Sequence, residues 1–316
     1  MKISVVCPVY NESAWIDQLL RFIVSSEITP KEVFLVDGGS ADDTVEKISA
    51  WQAQYPFIKL LHNPRKYVPF ALNLAIPQCT GDIIVRLDAH TEYASDYFEK
   101  IVQVAERTRA DIVGGPTLTR WKNPLQQAVA NAICSPFGIG DSKVHFKDYE
   151  GWTDSVTFGS WRREIFEKTG LFDTGLMRNQ DDEFHYRCKA MGFKIYQSPE
   201  IKLYYYPRDK YSKLFSQYYQ YGLYKPLVLK KVPTEWKWRH LIPSLFVLYL
   251  ISLPFALFFP PWLIPLILYL LLDLYFSFKA PAPWSVRFRM LLVYPVLHIA
   301  YGTGFLVGLT KLWNKK

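Results

Sequence analysis

Short apolar runs rich in β-branched residues alternate with longer amphipathic stretches over roughly the first third of the chain. The runs predict strands, and the stretches between them predict helices. The strands are Ile3–Pro8, Glu32–Val36, Ile58–Leu61, Ile83–Leu87 and Ile112–Gly114; the helices are Glu12–Ser25, Asp43–Gln54, Val68–Ala75 and Asp96–Arg107. This alternation predicts an α/β fold with a mostly parallel sheet covered by helices on both faces.

The middle of the chain, from Trp121 to Leu203, has a less regular pattern. Residues 135–154 have the composition of a long polar and aromatic loop. Short helices are predicted near Arg162–Lys168 and Asp181–Met191, and a longer one over Tyr211–Lys230.

The last quarter carries three apolar runs close to the length needed to cross a bilayer: Leu241–Phe259, Trp262–Phe278 and Met290–Leu309. Tryptophans fall near their ends, where an aromatic belt is expected. The basic segment Lys225–Arg239 precedes the first run, so the positive-inside rule predicts a cytosolic N-terminal domain at the plasma (inner) membrane. Because three crossings would put the basic C-terminal end outside, two or three transmembrane or interfacial helices are predicted.

The net charge of +8 is unevenly distributed. After Lys210 the only acidic residues are Glu235 and Asp273, and this basic segment suits an anionic leaflet. Nucleic acid is a poor partner for these charges, because they interleave with lipid-length apolar runs. The four cysteines show no metal or redox spacing, which indicates free thiols in a reducing compartment.

Polar residues cluster where the predicted strands end, which is where parallel sheets bind ligands. Asp37 ends a strand and is followed by Gly38-Gly39-Ser40, a turn that a ligand can approach closely. Its carboxylate could accept hydrogen bonds from a nucleoside. An ordinary turn leading into a capped helix explains the same residues equally well.

Asp88 and His90 follow the fourth predicted strand. In extended chain, residues i and i+2 point the same way, so the two side chains could hold one divalent cation. The imidazole shifts the preference from Mg²⁺ toward Mn²⁺. The alternative is that His90 only caps the next segment.

The run Gln180-Asp181-Asp182-Glu183 places three carboxylates side by side. Mutual repulsion and burial could raise the pKa of one of them toward that of a general base. The alternative is the first turn of a surface helix, in which Glu183 pairs with Arg187 at i, i+4. Arg65 and Lys66, which follow the third strand, are candidates for phosphate contact, and Asn73 lies one or two turns into the next predicted helix.

The order of these pieces resembles glycosyltransferase family 2 over roughly residues 1–230. The matching stretches are Val5-Val6-Cys7-Pro8-Val9-Tyr10-Asn11-Glu12, Val36-Asp37-Gly38-Gly39-Ser40-Ala41-Asp42-Asp43-Thr44, Asp88-Ala89-His90, and Asp181 with Arg187 six residues on. The apolar tail, Gln180-Asp181-Asp182-Glu183 and Gln217-Tyr218-Tyr219-Gln220-Tyr221-Gly222 are similar to the membrane-bound succinoglycan-type branch.

The resemblance implies a GT-A fold, a Rossmann-like α/β arrangement, in residues 1–230, with a membrane region in 231–316. It implies inverting transfer of a hexose from a nucleotide-activated sugar, with a UDP-sugar the leading expectation. Residues expected around the nucleotide and its diphosphate are Pro8, Tyr10, Glu12, Asp37, Arg65, Asn73 and Asp88. Asp88 and His90 would hold Mn²⁺ or Mg²⁺, Asp181 (or else Asp182) would be the base, and Gly159 and Ser160 would line the sugar or acceptor pocket.

The expected reaction therefore builds bacterial exopolysaccharide on a lipid-linked saccharide acceptor at the membrane. Polyprenyl-phosphate monosaccharide transferases and processive synthases share this catalytic domain and remain alternatives. The segment Gln217–Tyr221 departs from the Q-x-x-R-W motif of processive synthases, which favours single-sugar addition. A non-catalytic membrane scaffold is the alternative from another class.

Overall fold

The computed structural model describes residues 1–28, 30 and 32–313 of the 316-residue chain. The strands are β1 (Ile3–Val9), β2 (Glu32–Asp37), β3 (Ile58–His62), β4 (Ile83–Arg86), β5 (Glu92–Tyr93), β6 (Ile112–Gly114), β7 (Thr117–Thr119), β8 (Gly151–Trp152), β9 (Ser160–Arg162), β10 (Ile195–Gln197) and β11 (Leu203–Tyr205). The helices are α1 (Ile16–Ser25), α2 (Thr44–Gln54), α3 (Val68–Ala75), α4 (Tyr97–Thr108), α5 (Pro124–Ile133), α6 (Pro136–Ile139), α7 (Glu164–Thr169), α8 (Gln180–Ala190), α9 (Tyr211–Lys231), α10 (Trp238–Ser252), α11 (Ile264–Lys279) and α12 (Trp284–Trp313).

The main sheet has the strand order β3-β2-β1-β4-β9-β6-β10-β8. Strands β3, β2, β1 and β4 pair in parallel, as do β6 and β10. Neighbouring residues of β1 point to opposite faces: Val5 joins the core under α1 and α4, whereas Val6 joins the core under α3, α7 and α8. Both faces are buried, which explains the unbroken apolar runs and confirms the predicted α/β architecture.

Strand β9 is a feature that the hydrophobic pattern did not predict. It pairs antiparallel with both β4 and β6 and so lies between two strands that run the other way. Its central residue, Trp161, is fully buried against Phe166, Phe172 and Phe184. A strand of only three residues is too short to show a period of two, so the sequence pattern could not reveal it.

The chain forms two compact units. The first comprises Met1–Leu118 and Phe146–Tyr205, and the second comprises Thr119–His145 and Tyr206–Lys316. The division does not follow the predicted boundary at residue 230, because α5, α6 and α9 pack with the apolar helices. Within the second unit, α5 and α12 share a buried core that includes Val129, Ile133 and Leu297.

Among the described residues, three segments are long and apolar enough to cross a membrane: Trp238–Leu257, Pro260–Lys279 and Trp284–Leu312. They correspond to the three runs predicted from the sequence. Within the structure they differ sharply in burial. The share of buried residues is 17% and 11% for the most apolar windows of the first two, and 50% for that of the third.

Candidate functional site

The polar loops meet at one edge of the main sheet. Val9, the last residue of β1, pairs with Asp37, the last residue of β2. On the other side of β1, Val6 pairs with Arg86 at the end of β4. Because these strands are parallel, the loops carrying Glu12, Asp37 and Asp88 all leave the sheet at its carboxyl edge, as predicted from the sequence.

Glu12, Asp88 and His90 form the cluster best suited to a metal ion. The imidazole Nδ1 of His90 lies 2.9 Å from Asp88 Oδ1 and 3.0 Å from Glu12 Oε1. One candidate ligand atom from each residue lies within 4.8 Å of the other two. The D-x-H pair was predicted from spacing, but Glu12 was expected only near the nucleotide. Two carboxylates and an imidazole suit Mn²⁺ better than Mg²⁺.

The cluster concentrates negative charge on one imidazole. Hydrogen bonds from His90 to Asp88 and to Glu12 raise the pKa of His90 to about 10. Burial acts to raise the pKa of Asp88, but the hydrogen bond and charge of His90 outweigh it, so that pKa is lowered. The Asp88 carboxylate therefore keeps its negative charge, which a divalent cation would neutralise.

The loop that carries Glu12 is tied to the loop after β2. Asn11 has a positive φ of 54°, and its Oδ1 accepts a hydrogen bond from the backbone N–H of Ala41 at 2.8 Å. The backbone N–H of Glu12 donates to Thr44 Oγ1 at 2.8 Å. An asparagine tolerates this left-handed backbone better than most residues. The tie fixes where the Glu12 carboxylate emerges.

Asp37 organises the turn that follows it. Its carboxylate accepts hydrogen bonds from the backbone N–H groups of Gly39 and Ser40, at 2.9 and 3.1 Å, and from Ser40 Oγ at 2.6 Å. Gly39 has a φ of 83°, a backbone that favours glycine. The turn is thus observed, but the expected helix cap is not, because Asp43 at the start of α2 makes no side-chain capping hydrogen bond. The nucleoside contact predicted for Asp37 stays a prediction.

Asp181 lies in the first turn of α8 and forms an ion pair with Arg86, the last residue of β4. Burial raises the pKa of Asp181, and the Arg86 guanidinium opposes the increase. The negative charge of Asp182, the next residue, adds to it. This carboxylate can accept a proton more readily than an ordinary aspartate, as the predicted general base requires.

Arg86 is a site residue that sequence reasoning missed. It is only 5% exposed, and its guanidinium carbon lies 5.2 Å from the centre of the Phe158 ring. Within the part of the chain that the structure describes, its buried Nε has no hydrogen-bond partner. The signal was present as a charged residue at the end of an otherwise apolar strand, where burial of a charge requires a partner.

The other half of the acidic run has a structural role. Arg187 Nε donates to Glu183 Oε1 at 2.8 Å, which confirms the predicted i, i+4 pair. Arg187 Nη2 also donates to the carbonyl of Leu171 at 2.9 Å and so joins α8 to the preceding loop. Within one helical turn, Asp181 and Glu183 therefore have different partners.

The remaining predicted nucleotide residues lie on β1, α3 and the loops beside them. Pro8 is half-buried in β1, and Tyr10 is 49% exposed, with Lys66 Nζ 5.8 Å from its ring centre. The guanidinium carbon of Arg65 lies 5.6 Å from the ring centre of Phe70.

Asn73 has a firm structural contact. Its Nδ2 donates to the carbonyl of Phe172 at 2.8 Å, and its Oδ1 accepts from the Phe172 backbone N–H at 2.9 Å. This pair of hydrogen bonds joins α3 to the loop that contains Phe172. Its predicted approach to the diphosphate stays a prediction.

Gly159 and Ser160 were predicted to line the sugar or acceptor pocket. Gly159 lies just before β9, and Ser160 is the first residue of β9. Gly159 has a φ of 86°, and a Cβ there would lie 2.8 Å from Trp161 and 2.9 Å from His185. Ser160 is 2% exposed between Val85 and Val113 of the neighbouring strands. The burial of Ser160 argues against a direct contact between its hydroxyl and an acceptor.

Comparisons with known proteins agree on the family. The model of the family described as Glycosyl transferase family 2 matches residues 4–170. The succinoglycan biosynthesis protein ExoA of Rhizobium meliloti is 33% identical, over 69% of this chain and 67% of its own length. A Methanococcus voltae protein, named as a dolichyl N-acetyl-α-D-glucosaminyl phosphate 3-β-D-2,3-diacetamido-2,3-dideoxy-β-D-glucuronosyltransferase, is 26% identical over 98% of this chain and 97% of its own length.

A solved structure shares the fold. It is the mannosyltransferase PcManGT of Pyrobaculum calidifontis, in complex with GDP-Man and Mn²⁺. The similarity covers 100% of this chain and 88% of that one, with a TM-score of 0.60 and 20% sequence identity. The Pyrobaculum mannosyltransferase has a GT-A fold. The similarity therefore confirms the GT-A fold predicted for the present chain.

Proposed function

The chain belongs to glycosyltransferase family 2, and on that premise we propose that it transfers a sugar from a nucleotide-sugar donor to a lipid-linked acceptor at a membrane. The observation that carries the proposal is the placement of two separate acidic features at one end of the parallel sheet. Glu12, Asp88 and His90 form a cluster whose ligand atoms could hold a cation, and Asp181 is paired with Arg86.

The cluster supplies the donor side of the site. When bound by Glu12, Asp88 and His90, a divalent cation would neutralise the donor's diphosphate and favour its departure. Asp37 and Tyr10 lie in the loops at the same sheet edge and would contact the nucleoside. Arg65 adds positive charge for the phosphates. The GDP-Man and Mn²⁺ bound by the mannosyltransferase of the same fold support this arrangement.

The acidic turn of α8 supplies the base. Asp181 would remove the proton from the acceptor hydroxyl, with Asp182 as the alternative. The oxygen then bonds to the anomeric carbon as the bond from that carbon to the diphosphate breaks. The electron pair of the broken bond leaves with the nucleoside diphosphate. An attack opposite the leaving group inverts the configuration of the sugar.

The membrane segments and the relatives together support a lipid-linked acceptor. The Methanococcus voltae relative is named as acting on a dolichyl phosphate sugar, and the Rhizobium relative is named for succinoglycan biosynthesis. Three segments of this chain are apolar enough to span a bilayer. Single-sugar addition during the assembly of a polysaccharide or lipid-linked glycan is the activity that fits both, with the catalytic domain in the cytosol.

Donor binding tests the proposal. We expect thermal unfolding of the detergent-solubilised chain to shift upward with one of a panel of UDP-, GDP- and dTDP-sugars in the presence of Mn²⁺. A donor at about one hundred times its Kd stabilises by about 2.7 kcal/mol. Asp88→Asn removes one charge from the cluster and should abolish the part of the shift that depends on Mn²⁺.

The matched control is Asp43→Asn, an exposed aspartate just before α2 and outside the cluster. It should leave the shift unchanged. Absence of any nucleotide-sugar shift in the wild-type chain, or an undiminished Mn²⁺-dependent shift in Asp88→Asn, would contradict the assignment of the donor site.

A further inference from the structure

The side chain of Tyr93 holds the backbone of the loop that carries two of the candidate cation ligands. Its Oη accepts a hydrogen bond from the backbone N–H of Asp88 at 2.7 Å and lies 3.3 Å from the backbone carbonyl oxygen of the same residue, to which it donates. A phenolic hydroxyl can do both, because it is a donor as well as an acceptor. One side chain thus satisfies both backbone groups of a residue whose carboxylate belongs to the cluster.

The loop leaves the sheet at this point and needs a partner of this kind. The backbone N–H of Leu87 still donates to the Val6 carbonyl of β1 at 3.0 Å. The next backbone N–H, that of Asp88, bonds to the Tyr93 hydroxyl instead of a strand. The Asp88 carbonyl also accepts from the backbone N–H of Thr91 at 3.2 Å, which closes a tight turn. A half-buried N–H that lost the hydroxyl would be destabilised unless the loop moved to give it another partner.

Tyr93 itself is fixed by structure outside the loop. It is the second residue of β5 and pairs with the fully buried Leu203 of β11. Its ring stacks on that of Phe22 in α1, with ring centres 5.4 Å apart and an interplanar angle of 23°. Its ring centre also lies 4.7 Å from that of Tyr97 in α4. A strand pair and two helices therefore set the position of the hydroxyl.

The two loops that supply carboxylates to the cluster are supported in the same way. The backbone N–H of Glu12 donates to the Thr44 hydroxyl, as that of Asp88 donates to the Tyr93 hydroxyl. Both carboxylates lie within 3.0 Å of His90 Nδ1. Carboxylates brought together repel each other unless positive charge lies between them, so the loops tend to separate. The hydroxyls act against that separation from behind, without occupying the space between the carboxylates.

We propose that Tyr93 is a positioning residue for the cation site, and that its hydroxyl presets the Asp88 carboxylate before a divalent cation binds. The inference rests on the proposed function, because it takes Glu12, Asp88 and His90 as the ligands of that cation. Groups that orient metal ligands without touching the metal typically contribute about ten- to a hundredfold to metal affinity. Tyr93 contacts Asp88 through its backbone, so removing the hydroxyl leaves the ligand set itself unchanged.

Tyr93→Phe removes the hydroxyl and keeps the stacked ring. We expect the full-length chain in detergent to bind Mn²⁺ about tenfold or more weakly than wild type, measured from the electron paramagnetic resonance signal of free Mn²⁺. Thermal unfolding without metal shows separately how much stability the variant has lost. A purely structural role would lower the unfolding temperature and leave Mn²⁺ affinity as in wild type.

The matched control is Tyr97→Phe. Tyr97 is 2% exposed and packs in the same aromatic cluster, and among the hydrogen bonds of the described residues none joins its hydroxyl to the Asp88 loop. It should bind Mn²⁺ as wild type does. Equal Mn²⁺ affinity of wild type and Tyr93→Phe would overturn the inference and leave the cation site in place. Failure of the wild-type chain to bind Mn²⁺ would instead remove the cation site, and the inference with it.

Hydrogen exchange tests the same inference without a substitution. In the metal-free wild-type chain, the backbone N–H of Asp88 should exchange far more slowly than in an unfolded chain, because Tyr93 already holds it. Addition of Mn²⁺ should change that rate little. Rapid exchange that becomes slow after Mn²⁺ is added would mean that the cation orders the loop, and would contradict a preset carboxylate.

Discussion

At the residue scale, environment rather than residue type separates the carboxylates of the site. Asp88 has its pKa lowered by His90, whereas burial raises the pKa of Asp181. A carboxylate that keeps its charge suits cation binding, and one that accepts a proton suits base catalysis. The sequence predicted both roles from motif order. It could not predict the partner of Asp181, because Arg86 is 95 positions away in the chain.

Arg86→Met should move the pH dependence of transfer. The guanidinium stabilises the charged form of Asp181 and so lowers a pKa that burial raises. Without it, the pKa of Asp181 rises, and less of the base is deprotonated at any given pH. We expect the acidic limb of the kcat–pH profile to shift upward by about 1 to 3 pH units.

Arg86→Lys keeps the charge and should shift that limb less. Arg163→Met removes an exposed arginine from the same unit and serves as the control. An acidic limb at the same pH in wild type and Arg86→Met would show that Arg86 does not tune the base.

At the element scale, a neutral histidine joins α8 to the loop before β9. Trp161 Nε1 donates to His185 Nε2 at 3.2 Å, so the ring proton lies on Nδ1, 2.8 Å from Ser155 Oγ. Burial lowers the pKa of His185 to about 4. These contacts place α8, and therefore Asp181, relative to the sheet.

The buried His185 predicts loss of stability in mild acid. The unfolded chain takes up this proton near the ordinary pKa of about 6.5, whereas the folded chain does so only near 4. Its contribution is therefore fully present above pH 6.5 and is lost as the pH falls toward 4, by about 3 kcal/mol in total. Thermal unfolding in detergent between pH 7 and pH 4 measures it.

His185→Gln should reduce that pH dependence without abolishing it, because burial also lowers the pKa of His145 to about 4, and this holds even if the variant is less stable at pH 7. His62→Gln, at an exposed position, should keep the wild-type slope. Equal slopes for wild type and His185→Gln would contradict the role of His185.

The α9–α12 contact depends on glycines. Gly304→Ala would replace hydrogen with a methyl group only 2.0 Å from the Tyr219 carbonyl oxygen. Alanine favours helix formation, but the helices would have to separate, and overpacking of this kind costs about 1–3 kcal/mol. Unfolding in detergent should show the loss, whereas Leu309→Ala, at an exposed position on α12, should not. Equal stability of both variants would mean that the helices do not approach this closely.

The same element shows a limit of sequence reading. Gly304 and Gly308 are recognisable as a pair of small residues four positions apart, a pattern that packs apolar helices. The pattern does not say which helix is the partner. The structure uses the pair within the chain, against α9, whose polar composition gave no sign of that contact.

At the scale of the whole molecule, the local signals were the reliable ones. The strands β1 to β4, the three apolar segments and the family motifs are each contained in a short stretch of sequence, and they were predicted. The assignment of Thr119–His145 and α9 to the unit that contains the apolar helices was not. That assignment depends on packing between distant residues, 78 positions apart for Tyr211 and Arg289 and 159 for Ser135 and Tyr294, which periodicity does not report.

The central claim is that Asp181 acts as the base in sugar transfer at this site. The most direct measurement follows a radiolabelled sugar from a nucleotide-sugar panel into membrane lipid extract, with wild type, Asp181→Asn and Asp182→Asn compared. The account predicts transfer by wild type, a loss of about a hundredfold or more in Asp181→Asn with the donor-induced thermal shift retained, and a smaller loss in Asp182→Asn. No transfer by wild type from any donor, or activity of Asp181→Asn within about tenfold of wild type, would contradict it.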